Sequence, residues 1–178
     1  HDVHISRADV LQAPGLTPSP HTSLRTLVSQ LILTNLYLGV GEGAFAAALR
    51  YTKEEARPWL TANVQRAHED PYTQHRYGEF RVALHAAQAV ADDAARTLQA
   101  ALDQGAALDA VARGDTALAV SEAKVLAHRA GLDVSTQFLE LTGARSTSSR
   151  YGFDRFWRNV RVHTLHDPVD YKLRDLGR

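Results

Sequence analysis

The stretch NVRVHTLHDPVDYK, residues 159–172, carries the densest polar chemistry in the chain. Two histidines, His163 and His166, fall with Asp167 and Pro168 inside six positions. Histidine exchanges protons near neutral pH, so a His166-Asp167 pair can serve as an acid/base couple. The same residues also suit a plain helix end. A histidine cation is favourable at a helix C-terminus, and Pro168 cannot continue a helix. A metal role finds less support. His163 and His166 are three apart, but no third ligand stands nearby, and neither Glu-x-x-His nor His-Glu-x-x-His spacing occurs. No metal is expected.

Two arginines stand in similarly ambiguous places. Arg57 precedes Pro58 in RYTKEEARPW, and Arg145 sits among Ser146, Thr147, Ser148 and Ser149 in TGARSTSSRYG. A guanidinium binds phosphate in a fork, so each is a candidate phosphate clamp. Arg57 is equally a cation at a helix end, and the serine-rich segment equally a surface loop. The glycine cluster GVGEGA, residues 39–44, is not a dinucleotide fingerprint. Its glycines stand at every second position and follow a helical pattern, not a strand. Close helix packing is the expected reason for it.

These residues need elements to position them. Thr22 or Ser23 is the expected cap of a first helix reaching about Glu55, with Leu24, Leu27, Val28, Leu31, Leu38, Phe45 and Leu49 at helical spacing. It is apolar on most sides, which predicts a central, buried helix. A second runs from about Tyr72 to Gln104 through Phe80, Leu84, Ala87, Ala91, Leu98 and Leu102. Gly105 to Gly114 reads as a break. Asp115 or Thr116 then caps a third, which ends near Leu141 with Gly143 in the usual stop position. A fourth, Phe153 to about Leu165, is expected to bury Phe153, Trp157, Val160 and Thr164. A last short turn or helix holds Val169 to Leu176. The fold class is all-α, a four-helix bundle over residues 21–178. Residues 1–20, with the alternating VHI and the proline-rich QAPGLTPSPH, read as a strand end and linker.

Composition limits the function classes. The 178 residues are 44% hydrophobic, enough for one globular domain. Lys+Arg and Asp+Glu balance at 20 each, so no overall charge points to nucleic acid or an anionic membrane. The absence of cysteine removes disulfides and thiolate metal sites, and a cytoplasmic protein is expected. No signal-peptide pattern is present, and the apolar run from Leu31 to Val40 is interrupted by Thr34 and Asn35, too short and polar to span a bilayer. The chain also lacks methionine, so it is expected to be part of a longer product.

Three stretches act together: YLGVGEGAFAAALRYTKEEARPW, EDPYTQHRYGE and RYGFDRFWRNVRVHTLHDPVDYKLRDLG. In this order and at these separations they resemble the C-terminal region of the acyl-CoA dehydrogenase fold. More narrowly, FDRFWRNVRVHTLHDP resembles the dibenzothiophene monooxygenase-like, two-component flavin branch. The resemblance covers essentially the whole chain. It implies a C-terminal four-helix domain, preceded in the full protein by a helical domain and a β-domain whose last strand is HDVHISRADVL.

The resemblance further implies a homotetramer built around these bundles, with flavin between domains and touched by a neighbouring subunit. Arg57 would reach the flavin phosphate, and Arg145 would do so from the adjacent subunit. His166 would lie near the flavin ring, with Asp167 orienting it or capping nearby backbone. The cofactor would be FMN, reduced by a partner flavin reductase, and the substrate a small organic, possibly sulfur-containing, molecule. One alternative is an FAD-dependent acyl-CoA dehydrogenase. Such enzymes commonly carry a YEGT-like segment where this chain has LHDP, and a histidine there suits hydrogen bonding to an oxygenated flavin. The other alternative is a non-catalytic oligomerisation module, and the chain alone is expected to be inactive.

Overall fold

The computed structural model of the chain describes residues 19–178. They form five α-helices and no strand among the described residues: α1 (Pro20–Glu54), α2 (Pro71–Asp103), α3 (Ala110–Thr142), α4 (Asp154–Thr164) and α5 (Val169–Leu176). The expected N-terminal strand lies outside the described residues.

Helix starts follow proline and aspartate. Ser19, not Thr22 or Ser23, caps α1: its hydroxyl accepts from the Thr22 amide at 3.2 Å, and Pro20 takes the first helical position. Proline is pre-organised there, although within QAPGLTPSPH it reads as linker. Asp70 caps α2 in the same way, accepting from the Tyr72 amide at 2.9 Å ahead of Pro71. The start of α3 departs from expectation. Asp109 caps it, accepting from the Ala112 amide at 2.8 Å, and the helix passes through Gly114. One helical glycine costs about 1 kcal/mol, which a good cap offsets, so the break is shorter than the glycines suggest. Asp115 and Thr116 are therefore interior, and the Thr116 hydroxyl donates to the Ala112 carbonyl. Gly143, with φ of 73°, ends α3 as expected.

Helix α1 packs on both α2 and α3, which also pack on each other, and α4 crosses α1 and α3. Leu24, Tyr37, Leu84, Val120, Val134 and Phe138 are fully buried at their shared core. The glycine cluster serves this packing. A Cβ on Gly41 would lie 2.8 Å from Leu84 Cδ2, and one on Gly131 of α3 would lie 2.9 Å from the Tyr37 carbonyl oxygen. Backbones of α1 and α3 thus meet at a contact that no larger residue fits. Gly43 makes room for Phe156 of α4, whereas Gly39 faces open space.

Two expectations about burial fail. Trp157 is 42% exposed. The inward face of α4 is instead Phe153, Phe156, Val160 and Thr164, spaced three and four apart, and Trp157 falls at its edge. Helix α1 is not apolar-and-buried all round either, since Ile32 is 64% exposed. By length and composition, α1 is long and apolar enough to cross a bilayer. The run from Leu31 to Val40 is only the central part of this helix. In this fold one face of α1 is the core of the helix assembly.

Candidate functional site

The α4–α5 turn presents the His166-Asp167 pair. It is held from beneath by α1: the Tyr37 hydroxyl, on a fully buried side chain, donates to the His163 carbonyl at 3.2 Å. The His166 amide donates back to the same carbonyl at 3.2 Å, and Pro168 opens α5. The His166 side chain is exposed. Among the described residues it makes no side-chain hydrogen bond.

Asp167 turns the other way. Its carboxylate accepts from Lys124 Nζ of α3 at 2.5 Å, with Lys172 Nζ at 3.5 Å. The Lys124 side chain is 1% exposed and its ammonium also donates to Gln30 Oε1 of α1. Burial alone would raise the Asp167 pKa, but the Lys124 bond and charge outweigh it and hold the carboxyl below its ordinary range. Burial pulls Lys124 down, partly offset by Asp167. The two shifts oppose one another, since one favours the ion pair and the other a neutral amine. Direct contact at 2.5 Å, with a second acceptor on the same ammonium, favours the pair. One turn along α3, His128 is lowered by burial and then by the Arg161, Lys124 and Arg129 charges.

Lys124 is absent from the candidates read from sequence. The signal was there. In SEAKVLA it stands four residues after buried Val120 and three before buried Ala127, inside the apolar stripe of α3. A lysine within such a stripe needs a buried partner.

Arg57 and Arg145 come together where α1 and α3 end. Both line one recess of about 180 Å³, with Tyr51, Glu55, Thr142 and Gly143. Neither makes an ion pair among the described residues. The recess carboxylate, Glu55, is engaged elsewhere: the Tyr151 hydroxyl donates to it at 2.5 Å and Arg150 at 3.3 Å. Ser146 and Thr147 turn inward to their own segment, donating to the Gly143 and Ala144 carbonyls at 2.7 Å. Among the described residues, neither guanidinium in this recess has a hydrogen-bond partner. On the far side of Arg57 a second recess of about 320 Å³ reaches Trp59, Asp70, Thr73 and Glu140.

The two polar places lie far apart within the chain. From Lys124, against Asp167, to Thr142, at the arginine recess, α3 rises roughly 27 Å at 1.5 Å per residue. From Gln30 to Tyr51, α1 rises roughly 32 Å. The Lys124–Asp167 contact thus lies at mid-α3, and the arginine recess lies where α1 and α3 end.

Residues 31–171 match the family model described as acyl-CoA dehydrogenase, C-terminal domain. The chain belongs to this family. It is 48% identical over 183 residues to the dibenzothiophene monooxygenase of Rhodococcus erythropolis, covering all of this chain and 44% of that protein. The methanesulfinate monooxygenase structure from Pseudomonas fluorescens superposes with a TM-score of 0.89 at 44% identity, over 97% of this chain and 45% of that one. The FMN-bound dibenzothiophene monooxygenase of Paenibacillus sp. A11-2 superposes with a TM-score of 0.84 at 42% identity, over 88% of this chain and 39% of that one. The chain thus spans less than half the length of these monooxygenases, and its likeness is to their C-terminal part.

Proposed function

We propose that this chain is the flavin-holding and oligomerising C-terminal domain of a two-component monooxygenase. The enzyme would take reduced FMN from a separate reductase and oxygenate a small sulfur-containing molecule. The observation that carries this reading is the shared recess of Arg57 and Arg145. Two guanidiniums with no carboxylate partner among the described residues suit a phosphate dianion, in a fold whose Paenibacillus relative binds FMN.

Bound reduced flavin supplies the electrons that activate O2. The chain's own residues do the rest. Arg57 and Arg145 neutralise the phosphate and set its position. His166, exposed on a braced turn, donates a hydrogen bond or proton at the reacting oxygen. The resemblance has a neighbouring subunit touch the flavin, and on this reading one flavin takes its phosphate grip from one subunit and His166 from another. This differs from the division implied by resemblance, in which Arg57 and Arg145 come from different subunits. Exposed Ile32, Val82 and Val111, at 64%, 70% and 73%, supply apolar surface for contact between copies of the bundle.

The test uses the full-length protein with FMN, NADH, a flavin reductase and dibenzothiophene under ¹⁸O2. One labelled oxygen is expected in the product, with the second leaving as water. Purified protein that instead carries FAD and is reduced by an acyl-CoA contradicts the proposal.

A further inference from the structure

We infer that Lys124 is a positioning residue for His166, acting through Asp167. The inference rests on the reading that His166 works at the flavin. A lysine with a 1% exposed side chain is retained in a helical core only where its charge is matched. Here the matching carboxylate belongs to the residue that follows His166. The ammonium donates to Asp167 of the α4–α5 turn and to Gln30 of α1, and it stands on α3. One buried atom thus joins three elements at the point where an exposed histidine must be aimed.

The rest of the turn has the same character. Tyr37 and the His166 amide both bond the His163 carbonyl, so the backbone before His166 is fixed from α1. The Lys124 bond fixes the position after it. Pro168, with φ of -60°, restricts the exit into α5. Asp167 therefore serves as the handle by which the core holds the turn. Lys172, at 3.5 Å on α5, is the second cation on that handle. Its side chain is 24% exposed, so its charge is more screened than that of Lys124.

The experiment compares Lys124→Met, His166→Phe and their combination in the full-length protein. Methionine keeps the length and apolar stem of lysine but cannot donate. Hydrogen exchange, followed by mass spectrometry without flavin, is expected to quicken about tenfold or more in peptides spanning residues 163–169 when the tether is cut. Peptides from α2 should be unchanged. With FMN and substrate, K124M should lower kcat roughly tenfold to a hundredfold, as a misplacement of about 1 Å does. FMN affinity and substrate KM should hold. In the His166→Phe background, the same change should cost nothing further, because there is no histidine left to aim.

Gln30→Leu, which keeps the ion pair and removes one acceptor, provides a milder case should K124M fail to fold. It should shift both readouts in the same direction by less. Unaltered exchange in the turn overturns the inference. So does an equal kcat loss for K124M with and without His166. If His166→Phe alone proves silent, the catalytic reading of His166 falls, while the exchange data still decide whether Lys124 holds the turn.

Discussion

Replacing His166 with phenylalanine in the full-length protein is expected to leave folding and FMN affinity intact and to cut product formation by about 10²–10⁴-fold. Hydrogen peroxide should be released in place of product. The expectation follows from where the side chain stands. It is exposed and makes no side-chain hydrogen bond among the described residues, so the fold loses no hydrogen bond when the imidazole goes. The turn beneath it is held by Tyr37, Lys124 and Pro168. The electron balance sets the second readout. Reduced FMN, O2 and substrate yield oxidised FMN, oxygenated substrate and water. Without a correctly placed proton donor, reduced FMN and O2 yield oxidised FMN and hydrogen peroxide. Assays of product and peroxide on the same sample separate the two routes. A variant that oxygenates substrate at the normal rate, without peroxide, reduces His166 to a helix terminus.

Loss of either arginine should act on binding first. Arg57→Ala or Arg145→Ala is expected to weaken FMN by roughly tenfold or more, since a hydrogen bond to a charged group contributes about 1.5–3 kcal/mol. Because both groups line one recess, their effects should not simply add. Riboflavin, which lacks the phosphate, should bind the variants and the parent protein alike. Fluorescence titration with FMN and riboflavin measures this directly. Equal losses for both ligands would mean that the arginines support the fold and not the phosphate.

Much of the helical architecture was legible because it is local. Apolar spacing marks all four main helices, and Gly143 marks a stop that the backbone takes at positive φ. Caps were harder, because Ser19, Asp70 and Asp109 differ from other polar loop residues only by what their side chains accept. The candidate site divides in the same way. Arg57, Arg145, His166 and Asp167 stand out in the sequence by type, place and resemblance. Asp167 could be identified in that way, but its partner could not, since Lys124 lies 43 positions away. The shared recess of Arg57 and Arg145 is likewise a product of α1 and α3 ending side by side. Trp157 falls outside the buried face because a helix face is only a few residues wide, and Phe156 takes the inward place beside Gly43.

A flavin site divided between subunits is tested most directly by complementation. His166→Phe and the double variant Arg57→Ala/Arg145→Ala, each nearly inactive alone, would be co-expressed with different tags and the mixed oligomer isolated. A site that takes its histidine from the arginine variant and its arginines from the histidine variant is complete. Random assembly at equal expression completes about one quarter of all sites, and in an isolated mixed dimer about one half, so activity should recover to roughly that fraction of the parental value. Activity no greater than that of the two separate variants would place both groups within one subunit's site and contradict the divided arrangement.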